Sequence, residues 1–231
     1  VANTVPIDAD EQSFDMETEA FLQKRLYLNT ILRYLLDHPP ELNEIKRIGT
    51  DSSFLPLLSC CEGGVLLSSW IEQPGSLTAE KAGELKDEFT YLFVGPNVLP
   101  APPWESVYLG KEALLFEETT LKVRECYKDF GLSFIHENRE AEDHILIEME
   151  FLGYLITESI EKNEPARNKE LLIGQINFLE EHFLKWAPKF CEKLLEHCKT
   201  EWYQGIALLL EEYINLEIIA LGMMKEAVKN D

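Results

Sequence analysis

The 231-residue chain is 45% hydrophobic and 27% charged, enough apolar material for a globular core and enough charge to cover it. Its 42 acidic against 21 basic residues give a formal charge of −21, which argues against nucleic acid or an anionic membrane surface as partner and suits a basic one. No apolar run reaches the length of a membrane span, and the opening VANTVPIDADEQ lacks both an initiating Met and the basic-then-apolar layout of a secretory signal. The chain therefore reads as cytoplasmic without an integral membrane segment, its five cysteines (Cys60, Cys61, Cys126, Cys191, Cys198) as reduced thiols.

Residues 1–12 read as a flexible tail, and 13–231 as one all-α domain. Phe21, Leu28, Ile31, Leu32 and Leu35 form the inner stripe of a helix predicted from Ser13 to Asp37, ended by Pro39-Pro40. Shorter helices are predicted over 41–48, 54–61 and 65–72, with Gly63-Gly64 and Gln73-Pro74-Gly75 as punctuation. Thr78 suits the cap of the next helix, whose Ala82, Leu85, Phe89, Leu92 and Phe93 share one face. Gly95-Pro96 stops it. A loop with Pro100, Pro102 and Pro103 follows, rigid and poor in donors, serving either as an inter-helix connection or as a surface on which another chain lies.

Beyond that loop one helix is predicted over 105–130, with Val107, Leu114, Leu121 and Cys126 in pattern and Gly131 as C-cap. Residues 132–138 are a connection, briefly extended at Ser133-Phe134-Ile135. A helix over 140–162 carries Ile145, Met149, Leu152 and Ile156, and further helices are predicted over 166–186, 189–198 and 202–228, divided at Pro188 and near His197. No hairpin signal, period-two run or fixed repeat is present. The expected architecture is an irregular bundle of about ten helices.

Three stretches carry chemistry. The first is Leu92-Phe93-x-Gly95-Pro96 with Leu99-Pro100-x-Pro102-Pro103-Trp104-x-Ser106-Val107-Tyr108. The second is Glu140-Ala141-Glu142-Asp143-His144, and the third Phe178-Leu179-x-x-His182-x-x-x-Trp186-x-Pro188-x-Phe190. Taken alone, Asp143 reads as an acid favoured in the first turn of its helix, and His182 as a structural imidazole packed near Trp186. Trp104 is equally a pocket wall or an anchor for the loop. No Glu lies three residues before any of the five histidines, and neither G-x-x-x-x-G-K-[ST] nor G-x-G-x-x-G occurs. Converging zinc ligands are likewise not evident from spacing.

In order and in spacing these stretches resemble the TorD/DmsD/NarJ family of redox-enzyme maturation chaperones, the DmsD branch most of all. Ala141 departs from the family pattern, which has Pro there. The resemblance implies a cytoplasmic chaperone, not an enzyme, without cofactor or metal. Its implied partner is the twin-arginine signal peptide of a molybdenum-containing reductase of the dimethyl sulfoxide reductase type, held until the client is mature for export. The implied signal-peptide-binding residues are Phe89, Leu92, Phe93, Gly95, Pro96, Pro100, Pro102, Trp104, Asp143 and His144, in a monomer or homodimer. The alternative reading is a helical, metal-dependent phosphohydrolase of the HD type, although that class uses His-Asp where this chain has Asp-His.

Overall fold

Apolar residues recurring at three- and four-residue steps make helix the rule throughout the chain. The computed structural model describes residues 9–110, 118–133, 141–161 and 164–230, and among them no strand forms. The helices are α1 (Ala9–Asp37), α2 (Leu42–Ile48), α3 (Leu55–Cys60), α4 (Glu62–Glu72), α5 (Ala79–Phe89), α6 (Glu105–Leu109), α7 (Glu118–Asp129), α8 (Ile145–Ile160), α9 (Pro165–Phe178), α10 (Leu184–His197) and α11 (Glu201–Asn230). Two single π-turns interrupt this pattern, at Thr90–Val94 and at Leu179–Phe183. The first overlaps the start of the first stretch singled out from the sequence and the second falls inside the third, where a widened turn re-aims side chains that a regular helix would send elsewhere.

The caps follow local chemistry. Thr78 accepts from the Lys81 amide to start α5. At the end of α7, Gly131 takes φ +73, its N–H reaching Lys128 O while that of Leu132 reaches Tyr127 O. This reversal closes the last carbonyls.

Several expectations shift. Gly63 and Gly64 lie inside α4, where they are buried. A Cβ on Gly63 would stand 2.4 Å from the Gly205 carbonyl oxygen, so this glycine serves the close crossing of α4 over α11. The predicted helix over 105–130 breaks after Leu109 at an extended Gly110, and α7 begins separately at Glu118. Pro188 lies within α10 and does not divide it. A proline there removes one hydrogen bond to Leu184, a loss that the packing of Trp186, Ala187, Phe190 and Cys191 outweighs. The helix predicted over 140–162 begins at Ile145. Residues 9–12 of the expected tail belong to α1, while its residues 1–8, Leu114, the extended reading of Phe134-Ile135 and Glu140 lie outside the described residues.

The core is built around α11, which packs against α4, α10 and α1, with α8 laid along α1. Trp186, Trp202, Tyr203, Tyr213, Phe183 and Phe190 are all fully buried. Helices α1 and α8 run antiparallel, with Asp37 beside Leu146, Arg33 paired to Glu150 and Asn29 beside Gly153; the Asn29 amide also donates to Met149 O (2.8 Å) and to the Tyr213 hydroxyl of α11 (2.9 Å). One turn away, Arg25 bonds Glu217 of α11 through Nε (3.0 Å) and a terminal nitrogen (2.6 Å), with both side chains removed from solvent. That clamp fixes α1 against α11, and so the position of the α1–α8 seam.

Candidate functional site

The three stretches meet in space. Proline at 103 has no N–H, but its carbonyl accepts from the Ile145 amide (2.9 Å), and the Glu105 amide donates to Asp143 O (3.0 Å). These two bonds form an isolated antiparallel bridge between Trp104 and His144. The end of the proline loop is thereby stitched to the entrance of α8. The Trp104 and His144 rings sit edge to face at 5.4 Å. At the loop's other end, Gly95 adopts φ +100, a left-handed geometry that resists any Cβ, and its amide closes on Thr90 O.

Beneath the bridge lies a buried polar network. Asp143 is completely buried; its carboxylate accepts from the Ser106 amide (2.7 Å) and from the Thr120 hydroxyl (3.0 Å). It precedes the helix, with His144 as the N-cap, so the expectation of a first-turn acid is corrected: the carboxylate serves α6 and α7. His144 Nδ1 accepts from the Leu146 amide (3.2 Å). Burial pulls the His144 pKa down to about 4, against the opposing pull of Asp37, so the ring is neutral with its proton on Nε2.

His182, brought inward by the second π-turn, lies 3.1 Å from the Glu105 carboxylate. Trp186 Nε1 donates to Glu148 (3.0 Å), and the Tyr108 ring packs on Trp186. The third stretch therefore underpins the first, and its histidine is structural, as its spacing suggested.

This network titrates. Burial alone would lower the His182 pKa, but hydrogen bonding with Cys126 and Glu105 raises it to about 9. Glu148 is pushed well above the usual carboxylate range by burial and by the charges of Glu105 and Asp143. For His182, raised in the folded state, the stabilisation is complete below its ordinary 6.5 and is lost as pH climbs through about 9. The protonated Glu148 likewise favours folding at low pH, and its contribution falls as pH rises above 4.5. Both slopes have the same sign. The melting temperature is expected to fall between about pH 6 and pH 9.5, and His182→Gln to flatten that decline. An unchanged slope in the variant would refute the assignment.

Above the network is an open trough. Phe89, Phe93 and Val94 form one wall of a cavity of about 310 Å³, Pro103, Trp104 and His144 another, and Leu36, Asp37, Ile145, Leu146 and Phe190 complete it. A second cavity of about 630 Å³ continues along the α1–α8 seam, bounded by Thr30, Arg33, Tyr34, Asp37, His144, Leu146, Ile147 and Glu150. Of the residues expected at a binding site, Phe89, Phe93, Trp104 and His144 therefore meet in one groove.

The others do not line it. Leu92 is core, with no exposure, and Asp143 is sealed below the floor. Gly95, Pro96, Pro100 and Pro102 belong to the loop, which is tied down by the Ala101 amide on Leu92 O (3.4 Å). Spacing did not reveal Leu36, Asp37, Val94, Leu146, Ile147 or Glu150 as groove residues. The relevant signal was the exposed face of α1 at its C-terminal end, which a search for catalytic or ligating types passes over.

Among the described residues no group of three or more His, Cys, Asp or Glu side chains is placed to hold a metal ion, and no helix is long and apolar enough to cross a membrane. Cys126, Cys191 and Cys198 form no disulfide.

A family model described as nitrate reductase delta subunit matches residues 64–192, which include the proline loop, Asp143-His144 and the His182–Trp186 stretch. A protein of Haemophilus influenzae named "Probable Tat proofreading chaperone DmsD" is 37% identical over 125 residues, 54% of this chain and 56% of that protein. A chaperone protein TorD of Vibrio parahaemolyticus is 29% identical over 134 residues, 58% of this chain and 62% of that protein. A Tat proofreading chaperone DmsD of Salmonella typhi is 32% identical over 118 residues, 51% and 52% of the two chains. The match thus spans between half and two thirds of each relative's length.

Proposed function

Because the chain belongs to the nitrate reductase delta subunit family, the TorD/DmsD/NarJ group that its motifs resemble, we propose that it is a cytoplasmic maturation chaperone for a redox enzyme. In this reading it binds the twin-arginine signal peptide of a molybdenum-cofactor reductase, of the dimethyl sulfoxide reductase type, and holds it until folding and cofactor insertion are complete. The names of the relatives, Tat proofreading chaperone and TorD, support that reading.

The observation that carries it is the groove itself, with Phe89, Phe93, Trp104 and Phe190 beside the carboxylate of Asp37. A twin-arginine leader offers two guanidinium groups followed by an apolar segment. Aromatic walls suit the apolar part, and carboxylates or carbonyls suit the guanidinium forks, which two acceptors meet at once. No bond is made or broken; the task is to cover and release a segment, which an open trough on a rigid bundle permits. The acidic coat adds long-range attraction for a basic leader, weakening with salt.

Calorimetry with a synthetic leader and with its Lys-Lys counterpart tests the reading. The Arg-Arg peptide is expected to bind and the Lys-Lys peptide to bind at least about tenfold more weakly. Equal affinity, or no binding of either, would refute specific arginine recognition.

A further inference from the structure

The trough consists of two chambers that share Asp37, His144 and Leu146, one walled largely by aromatic rings and the other by polar and aliphatic side chains together. Towards α5 and α10 the smaller cavity is walled by Phe89, Phe93, Val94, Trp104 and Phe190. Towards the middle of α1 and α8 the larger one carries Thr30, Arg33, Tyr34 and Glu150. Asp37, His144 and Leu146 line both. Since α1 and α8 are antiparallel, the two chambers form a continuous path with an apolar end, an acid at the junction and a polar end. A leader is ordered in the same way, with its arginines before its apolar segment.

We propose that Asp37 is the specificity-determining acid of this groove: it receives a leader arginine at the junction, so that the arginine end lies along the polar chamber and the apolar segment over the aromatic one. The assignment rests on the signal-peptide reading above.

Three observations favour Asp37 over the other acids. Glu150 already holds the guanidinium of Arg33 at 3.0 Å, which shows that this wall accepts a guanidinium but also that Glu150 has one. Asp143 is sealed beneath the bridge with its carboxylate committed to Ser106 and Thr120. Asp37 keeps its side chain 67% exposed, and its partner is the adjacent His38 at 3.2 Å. His38 also bonds Glu44 at 3.0 Å, and these two acids raise its pKa.

The position of Asp37 is also poor for stability. It is the last residue of a 29-residue helix with no basic residue in its final turn. The negative end of the helix dipole disfavours an acid there. A residue that burdens its helix and faces the junction of a groove is better explained by what it binds. His144 beside it is neutral and so brings no positive charge to the junction.

The test combines Asp37→Asn with leader peptides carrying Arg-Arg or Lys-Lys, read by calorimetry and melting. It is completed by a photo-crosslinking benzoylphenylalanine placed in the peptide either before the arginines or within the apolar segment. Asp37→Asn is expected to melt at or slightly above the parent temperature, to bind the Arg-Arg peptide about tenfold more weakly, and to lose most of the preference over Lys-Lys. In the parent, the apolar-segment probe should crosslink near Trp104 and Phe190, and the probe before the arginines near Ile147 and Glu150.

A parent that binds the leader selectively while Asp37→Asn binds it with the same selectivity overturns the assignment and leaves the signal-peptide reading standing. A reversed crosslink pattern overturns the direction. A parent that binds neither peptide overturns both.

Discussion

Asp143→Ala is expected to lower stability by about 2–6 kcal/mol and, through it, to weaken leader binding. The carboxylate accepts from the Ser106 amide and the Thr120 hydroxyl with no exposure to solvent. Truncation leaves two buried donors without their acceptor, each worth about 1–3 kcal/mol. The loss should spread, because Ser106 lies in the first turn of α6, two residues after Trp104, and the Trp104–His144 bridge depends on the same two stretches of backbone.

Asp143→Asn should cost less, since the retained oxygen can still accept from Ser106 while its amide group faces Thr120, whose hydroxyl can also accept. Melting curves and binding isotherms on both variants decide the role. A direct contact with a leader arginine would instead appear as lost binding at a parental melting temperature. That result would move Asp143 from the floor of the groove to its surface.

The second large effect lies away from the groove. Arg25→Ala should destabilise the chain by about 3–5 kcal/mol, the cost of stranding one member of a buried ion pair. Glu217 is fully buried and bonded to both donors of the Arg25 fork. For a chain of this size the melting temperature should fall by roughly 6–20 °C. The paired replacement Arg25→Met with Glu217→Leu should recover most of that loss, because the desolvation of both charges is removed together. Below its melting transition each variant should bind a leader as the parent does. Thermal unfolding of the two single variants and the double variant checks this, and additive losses would show that the pair is not coupled.

The architecture was readable because most of its determinants are local. The apolar stripe ending at Pro39-Pro40, the Thr78 cap and the Gly131 reversal all lie within a few residues of the structure they specify. Gly63-Gly64 reads as punctuation because the helix crossing that explains Gly63 lies 142 residues away, at Gly205, and no local rule contains that partner. Pro188 was misread for a related reason: burial of Trp186 and Phe190 on one face outweighs a single lost hydrogen bond.

At the site, the aromatic residues and His144 were legible from the motif. Asp143 was legible as an important acid but its work was not, since the donors it serves come from α6 and α7. Asp37 stands in no motif because it belongs to the first helix, and only the antiparallel seam with α8 brings it to the groove beside His144.

The central claim is that a twin-arginine leader lies in the trough between the proline loop, α1 and α8. Titration of the leader into methyl-labelled protein, followed by NMR, addresses it residue by residue. The account predicts shifts at the methyl groups of Leu36, Val94, Ile145, Leu146 and Ile147, all of which line the trough. It predicts none at Ile218, Ile219 and Met223, which are exposed on the outer face of α11. Shifts centred on that α11 face, with the trough methyl groups unmoved, would contradict it.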